Sequence, residues 1–254
     1  MNRLKLYYTE NKPPGILGKF FTEMAKFEVK EKRKLNFQLL LDYTSSLLII
    51  YNGKTKKLSA KIAGYRNKKV KLNLPENSYI FLLKFKPEVF NLLVKGKVED
   101  YKNKLSTFQD IKFSNSEITD DEILKIITYY FEQSIFDFTR VKNYITEAIE
   151  LITYNNGVFR TEELVQKEKI SIRQFQREFK KVTGFSPKEF SSIVRINSLT
   201  SELVKENVSL RDIFFDLGFY DQAHFNKEFK KIIGANPSMF ESRQKLIRYL
   251  NLLK

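Results

Sequence analysis

Two short strips of side chains carry hydrogen-bond donors and positive charge at helical spacing. The first is Arg173, Gln176, Arg177 and Lys180, at i, i+3, i+4 and i+7, with Gln174 and Lys181 beside it. The second is Gln222, Asn226, Lys227 and Lys230, with His224 and Lys231 beside it. Arginine pairs with the O6 and N7 of guanine, glutamine and asparagine pair with the N6 and N7 of adenine, and lysine neutralises phosphate. Met once, such a strip is an ordinary solvated helix face. Met twice, behind the same punctuation, it points to a pair of helices that read duplex DNA. Catalytic chemistry has little to stand on. There is no cysteine, His224 is the only histidine and lacks a motif around it, and no phosphate-binding loop or metal-ligand spacing occurs.

The elements that must position these strips are written into the sequence twice. QFQREFKKVTGFSPKEF begins at Gln174 and HFNKEFKKIIGANPSMF at His224, 50 residues apart. Ser171 opens an S-x-x-Q capping box, and the helix after it is expected to bury Ile172, Phe175, Phe179 and Val182. Gly184 ends that helix, and Ser186, Pro187 and Glu189 cap the next. In the second copy Asp221 is the N-cap, Phe225, Phe229 and Ile232 form the apolar face, Gly234 closes the helix and Asn236-Pro237 opens the next. Upstream of it Ser209–Asp212 is a further capping box and Gly218 marks a tight turn. A short helix, a turn and a second helix make a helix-turn-helix unit. Between the copies runs one long helix of about 18–20 residues, or ~30 Å, close to the ~34 Å of one turn of B-DNA.

The rest of the chain fits a basic, two-part protein. The 254 residues carry a formal net charge of +15, which favours a polyanionic partner. An acidic stretch over 111–150 separates two basic ones, and the shift near 111–120 is a candidate boundary. No apolar run approaches the ~20 residues of a membrane span, the N-terminus is polar too early for a secretory signal, and the absence of cysteine suits a reducing cytoplasm. Before the acidic stretch the pattern is β-rich. Asn52-Gly53 signals a hairpin after an apolar run, LSAKIAGY and VKLNL alternate, and a short helix is expected from Glu88. From Ser116 the period becomes helical, with Ile123, Ile126, Ile127 and Tyr130 on one face of a first helix and Val141, Ile145, Ala148, Ile149 and Ile152 on a second. The run Lys54–Lys71, which also holds Arg66, reads as a solvated face of strands and turns, with an anion or flanking phosphate site as the second reading.

At these residues the sequence resembles the AraC/XylS family of bacterial transcription regulators, over roughly 141–240. The resemblance is carried by RQFQREFKKVTGFSPKEF, by Arg195, Leu199 and Leu203 in the long helix, and by DLGFYDQAHFNKEFKKIIGANPSMF. It implies a helical domain with two helix-turn-helix units on one side of the DNA. The base-contacting positions would then be Arg173, Gln176 and Arg177, and Gln222, Asn226 and Lys227. Where the family has a small residue in the first helix of each unit, Val165 and Phe214 stand, and Lys169 replaces a glycine common in the first turn. The N-terminal part is similar to a subgroup in which a Pro-Asp-Gly strand motif and an Arg-Phe-Arg-Pro motif recur. Here they read LLLDYTSSLLIIYNG and LLKFKPEVF, with Lys84 and Lys86 for the arginines.

The expectation is therefore an α+β chain. A β-rich regulatory domain over 1–115, a connecting helix over 116–138 and a double helix-turn-helix domain over 139–254 follow one another. The partners expected are double-stranded DNA, a small-molecule effector, RNA polymerase and a second copy of the chain, with no cofactor, metal or membrane. The alternative is a constitutive DNA-binding architectural or protein-interaction factor without an effector.

Overall fold

The computed structural model describes residues 4–11, 13–29, 35–39, 42–68, 70–94, 96–113, 119–134, 136–204, 219, 221–233 and 236–239. The N-terminal half is built on antiparallel strands: β1 (Leu4–Asn11), β2 (Phe21–Val29), β3 (Leu35–Leu39), β4 (Ser46–Asn52), β5 (Lys57–Ala63), β6 (Val70–Leu74), β7 (Tyr79–Phe85) and β8 (Leu105–Thr107). Six of them form one sheet in the order β1-β2-β7-β4-β5-β8, while β3 pairs with β6 in a small second sheet. A one-turn helix α1 (Leu17–Phe20) precedes β2, and α2 (Pro87–Leu93) follows β7. The helix expected from Glu88 begins one residue earlier because Pro87 occupies the first helical position, where its missing N–H costs nothing.

The apolar run of β4 shows why the pattern there is continuous and not alternating. Leu47 and Ile49 face one core, and Leu48 and Ile50 face another, so both sides of the strand are buried. Leu72 and Leu74 of β6 close the smaller core against Leu48 and Ile50. The hairpin expected at Asn52-Gly53 joins β4 to β5. The Asn52 side chain accepts from the N–H groups of Lys54 and Thr55, an Asx turn.

The helical half consists of α3 (Asp120–Gln133), α4 (Asn143–Tyr154), α5 (Thr161–Lys167), α6 (Ile172–Thr183), α7 (Pro187–Val204) and α8 (Gln222–Ile233). Thr119 and Glu122 form a complete capping box at the start of α3. Its buried residues are Ile123, Ile127 and Phe131. Ile126 and Tyr130 stay partly exposed, because Phe131 takes the inward position, 4.9 Å from the ring centroids of both Phe20 and Phe21. Asp120 meets the Lys26 ammonium of β2 at 2.6 Å. One continuous apolar core runs from Phe81 and Leu83 in the sheet, through Phe131 of α3, to Phe175 and Phe225 of the later helices.

Candidate nucleic-acid interface

The first strip is set by α6. The Ser171 hydroxyl accepts from the Gln174 N–H at 3.1 Å. The reciprocal half of the expected capping box is not made by Gln174, whose side-chain amide donates to Glu178 at 3.3 Å. Glu178 also accepts a short hydrogen bond from the Tyr144 hydroxyl of α4. Gln174 and Glu178 thus tie α6 to α4, and Gln174 lies partly buried beside the strip. Phe175, Phe179, Val182 and Thr183 are the buried residues of α6. Ile172, expected in the core, is 44% exposed. It sits in the first turn one position before Arg173, on the solvent side. The strip presented outward is Ile172, Arg173, Gln176, Arg177 and Lys180, with Lys181 exposed next to it.

The turn before α6 accommodates both departures from the family pattern in the first unit. Val165 of α5 is buried. Lys169 adopts φ +53°, the left-handed region a glycine would enter without strain. The Ile170 N–H then reaches back to the Val165 carbonyl at 3.1 Å.

Helix α7 joins the copies. Ser186 and Glu189 cap it reciprocally, at 3.0 Å from the Ser186 N–H to the Glu189 carboxylate and 3.3 Å in return. Burial works against the Glu189 charge, and the Ser186 backbone and hydroxyl bonds outweigh it, so the carboxyl sits below its ordinary range. The helix has 18 residues, or about 27 Å at ~1.5 Å each. Arg195, halfway along, donates to the Gly157 carbonyl at 3.0 Å and lies over the Phe219 ring at 5.6 Å. It therefore touches both the turn after α4 and the approach to the second copy.

In α8, the Asp221 carboxylate accepts from the His224 N–H at 2.6 Å, as the N-cap reading requires. Phe225 and Phe229 are buried, and Gln222, Lys227, Lys230 and Lys231 are exposed. Asn226 is half-buried. His224 stands edge-on to Phe219 at 5.6 Å, and its buried Nδ1 has no hydrogen-bond partner among the described residues. The expected capping box at Ser209–Asp212, Phe214, the Gly218 turn and Gly234 lie outside the described residues, as do the side chains of Leu203 and Ile232.

The first unit is held by the N-terminal half. Tyr65 meets Phe185 edge-on at 4.4 Å, Tyr43 meets Phe190 edge-on at 4.9 Å, and the Lys102 ammonium lies over the Tyr65 and Phe185 rings at 5.8 and 5.2 Å. Gly184 has φ +77°, and a Cβ there would overlap the Tyr65 ring. The glycine that ends α6 is thus required twice, by its backbone and by its neighbour.

The basic run Lys54–Lys71 is only partly a solvated face. Lys54, Lys56, Lys57, Lys68 and Lys71 are exposed, but Arg66 is 3% exposed. It donates to the Gly64 carbonyl at 2.7 Å and pairs with Asp42 at 3.5 Å, while the two backbones form a bridge. Lys84 lies 2.8 Å from Glu23 and 3.8 Å from Asp42. The Asp42 and Lys84 positions of the two N-terminal motifs, 42 residues apart by number, therefore share one charge network. Sequence reasoning missed it, since the partner of Arg66 lies outside the basic run.

Residues 164–243 match a helix-turn-helix domain family. The matched segment runs from α5 past α8, so this part of the chain is a helix-turn-helix domain. A helix-turn-helix unit places its second helix in the major groove of DNA. Among solved structures it is similar to ToxT from Vibrio cholerae, at 14% identity over 91% of this chain and 98% of that one, with a TM-score of 0.45. Similar values hold for ToxT bound to (E)-4-(8-methylnaphthalen-1-yl)but-3-enoic acid, at 13% identity over 89% and 98% of the chains and a TM-score of 0.44. ToxT with an unsaturated fatty acid bound gives 15% over 92% and 96%, with a TM-score of 0.43. No curated protein sequence matches. Among the described residues no helix is long and apolar enough to cross a membrane, and no group of histidine and acidic side chains is arranged to hold a metal ion.

Proposed function

We propose that this regulator reads an asymmetric DNA site with both helix-turn-helix units, inserting α6 and α8 into successive major grooves. The observation that carries the reading is the repeated face. Arg173, Gln176, Arg177 and Lys180 of α6, and Gln222, Lys227 and Lys230 of α8, are exposed along two helices that each begin with a side-chain N-cap, Ser171 and Asp221. Asn226 joins the second strip from a half-buried position. Arg177 is the base-reading residue of the first unit, and Lys180, Lys181, Lys230 and Lys231 are phosphate contacts. The function so described involves no catalytic step. Residues 1–115 act as the regulatory half, 116–138 as the connector and 139–254 as the DNA-binding half.

Selection of a binding sequence from random duplexes, followed by footprinting, tests this directly. The expected site has two elements about one helical turn apart. Arg177→Ala should lose a base preference in one element, at a cost of about 1–3 kcal/mol. Lys227→Ala should weaken binding through the other. Unchanged footprints in both variants would sink the two-groove reading.

Regulation through the N-terminal half is supported by the aromatic seam, since Tyr65 and Tyr43 sit directly on the turn and helix that follow α6. A small-molecule effector, or a second copy of the chain, would act by changing this seam and so shifting the population of DNA-competent arrangements.

A further inference from the structure

The cations of this chain fall into two groups. Lys26, Arg66, Lys84 and Lys167 each meet a carboxylate, of Asp120, Asp42, Glu23 and Glu147 in turn. Lys54, Lys56, Lys57, Lys68 and Lys71 meet none among the described residues, and all five are exposed. Between Tyr43 and Pro75 the sequence holds eight cations and no acid, so no neighbour along the chain neutralises them. Glu76, in the turn packed on Gly53, is half-buried.

These lysines belong to one layer of the fold. The Asn52 carbonyl accepts from the Lys56 N–H at 2.8 Å, and Lys56 takes φ +57°, a left-handed backbone that a lysine disfavours. The tip that carries Lys54, Lys56 and Lys57 is therefore a fixed turn. From it β5 leads to Lys68, and β6 returns through Lys71 and Asn73, since the turn after β6 packs on Gly53. Leu72 and Leu74 of β6 point into the smaller core, so Lys71 and Asn73 point out of it. That core lies on the opposite face of β4 from the core shared with the helices. The strips of α6 and α8 face away from the larger core, and Lys71 faces away from the smaller one. The lysine layer and the recognition strips thus lie on opposite sides of the six-stranded sheet.

The residue types select among polyanions. The arginine of the run, Arg66, is buried, so the side chain best suited to fork onto a base edge is out of reach. Thr55, Ser59 and Asn73, exposed between the lysines, can donate to phosphate oxygens. Among the described residues every exposed large hydrophobic lies from Tyr129 onward. This layer therefore offers no exposed aromatic to stack an unpaired base and no apolar wedge to enter a bilayer. β5 has seven residues, or about 23 Å at ~3.3 Å each. Over that length a duplex presents roughly thirteen phosphates, one per ~1.7 Å of axis.

We propose that the layer carrying Lys54, Lys56, Lys57, Lys68 and Lys71 is a second DNA-binding surface, which grips the backbone of a duplex without reading its sequence, so that one chain bridges two DNA segments. The first segment is the one assigned above to α6 and α8. The second surface does not depend on how the first is read.

The test uses the full chain, loaded on a bead-bound duplex that carries the selected site. A short fluorescent duplex of unrelated sequence is then titrated against it. Capture of the second duplex should follow the amount of chain loaded, and its log affinity should fall with log salt at a slope of about −4 to −5, for five phosphate contacts. A variant with Lys54→Gln, Lys56→Asn, Lys57→Gln, Lys68→Gln and Lys71→Gln should keep the Tm and the footprint of the unaltered chain, and should capture the second duplex at least about tenfold more weakly. The proposal is overturned if that variant captures the duplex as well as the unaltered chain does, or if the unaltered chain captures none at low salt. It is equally overturned if phosphatidylglycerol vesicles or polyuridylate compete the second duplex away and depend on the same five lysines. A chain with Arg177→Ala and Lys227→Ala, coupled to the bead directly, separates this surface from the recognition strips. Capture that persists there, and is lost when the five lysines are also replaced, upholds the second surface even where the two-groove reading fails.

Discussion

Ile172 and Lys169 show what single residues do when local pattern and environment disagree. Ile172 fits the apolar spacing of α6, yet it is 44% exposed, whereas Phe175 three residues later is fully buried. Ile172→Ala should therefore change stability by less than ~0.5 kcal/mol, while Phe175→Ala should cost about 3–5 kcal/mol. Urea unfolding of both variants measures the difference. Lys169 holds a left-handed backbone that a side chain disfavours. Lys169→Gly removes that strain at the expense of a freer unfolded chain, and the net expected gain is about 0.5–1 kcal/mol by the same measurement. The spacing of Ile172 was visible in the sequence and its exposure was not, because at the first turn of a helix the inward direction depends on what packs there. The charge partner of Arg66 was hidden for a related reason. Strand pairing brings Asp42 beside it, and nothing in the run of lysines around Arg66 announces that.

Among the elements, the caps were the most legible feature. Ser171, Ser186 and Asp221 all begin helices as their side chains suggest. Capping is a contact within four residues, so sequence alone specifies it. The S-x-x-Q box at α6 is the exception. Gln174 turns to Glu178, and the tertiary bond from Tyr144 to that carboxylate helps fix its place. The Glu189 cap has a measurable pH signature. Its folded pKa lies below the ~4.3 of a free glutamate, so its stabilisation is complete above about pH 5 and is lost as the pH falls through the folded value. Thermal unfolding from pH 7 to pH 3 should show a smaller acid loss in Glu189→Gln than in the unaltered chain.

At the scale of the whole molecule, the β-then-α order was readable from the change of period near residue 116. The seam between the halves was not, since Tyr65 and Gly184 are neighbours only after folding. Their contact is testable as a coupling. Gly184→Ala should be costly, partly from backbone strain at φ +77° and partly from overlap with the Tyr65 ring. In a Tyr65→Ala background only the backbone part remains. A double-mutant cycle should therefore give a coupling of about 1–3 kcal/mol, and strict additivity would show that the ring is not pressed on the glycine.

The position of Tyr65 has a bearing on recombination between relatives. A chimera that joins a foreign N-terminal half to these helices replaces the ring that covers Gly184 and Phe185, and the lysine that covers the ring. The donor half would have to bring an aromatic of the same reach at the same place, or leave Phe185 and Phe190 uncovered beside the first unit. Functional hybrids should thus be recovered when position 65 travels with the helices, and aggregate when it does not.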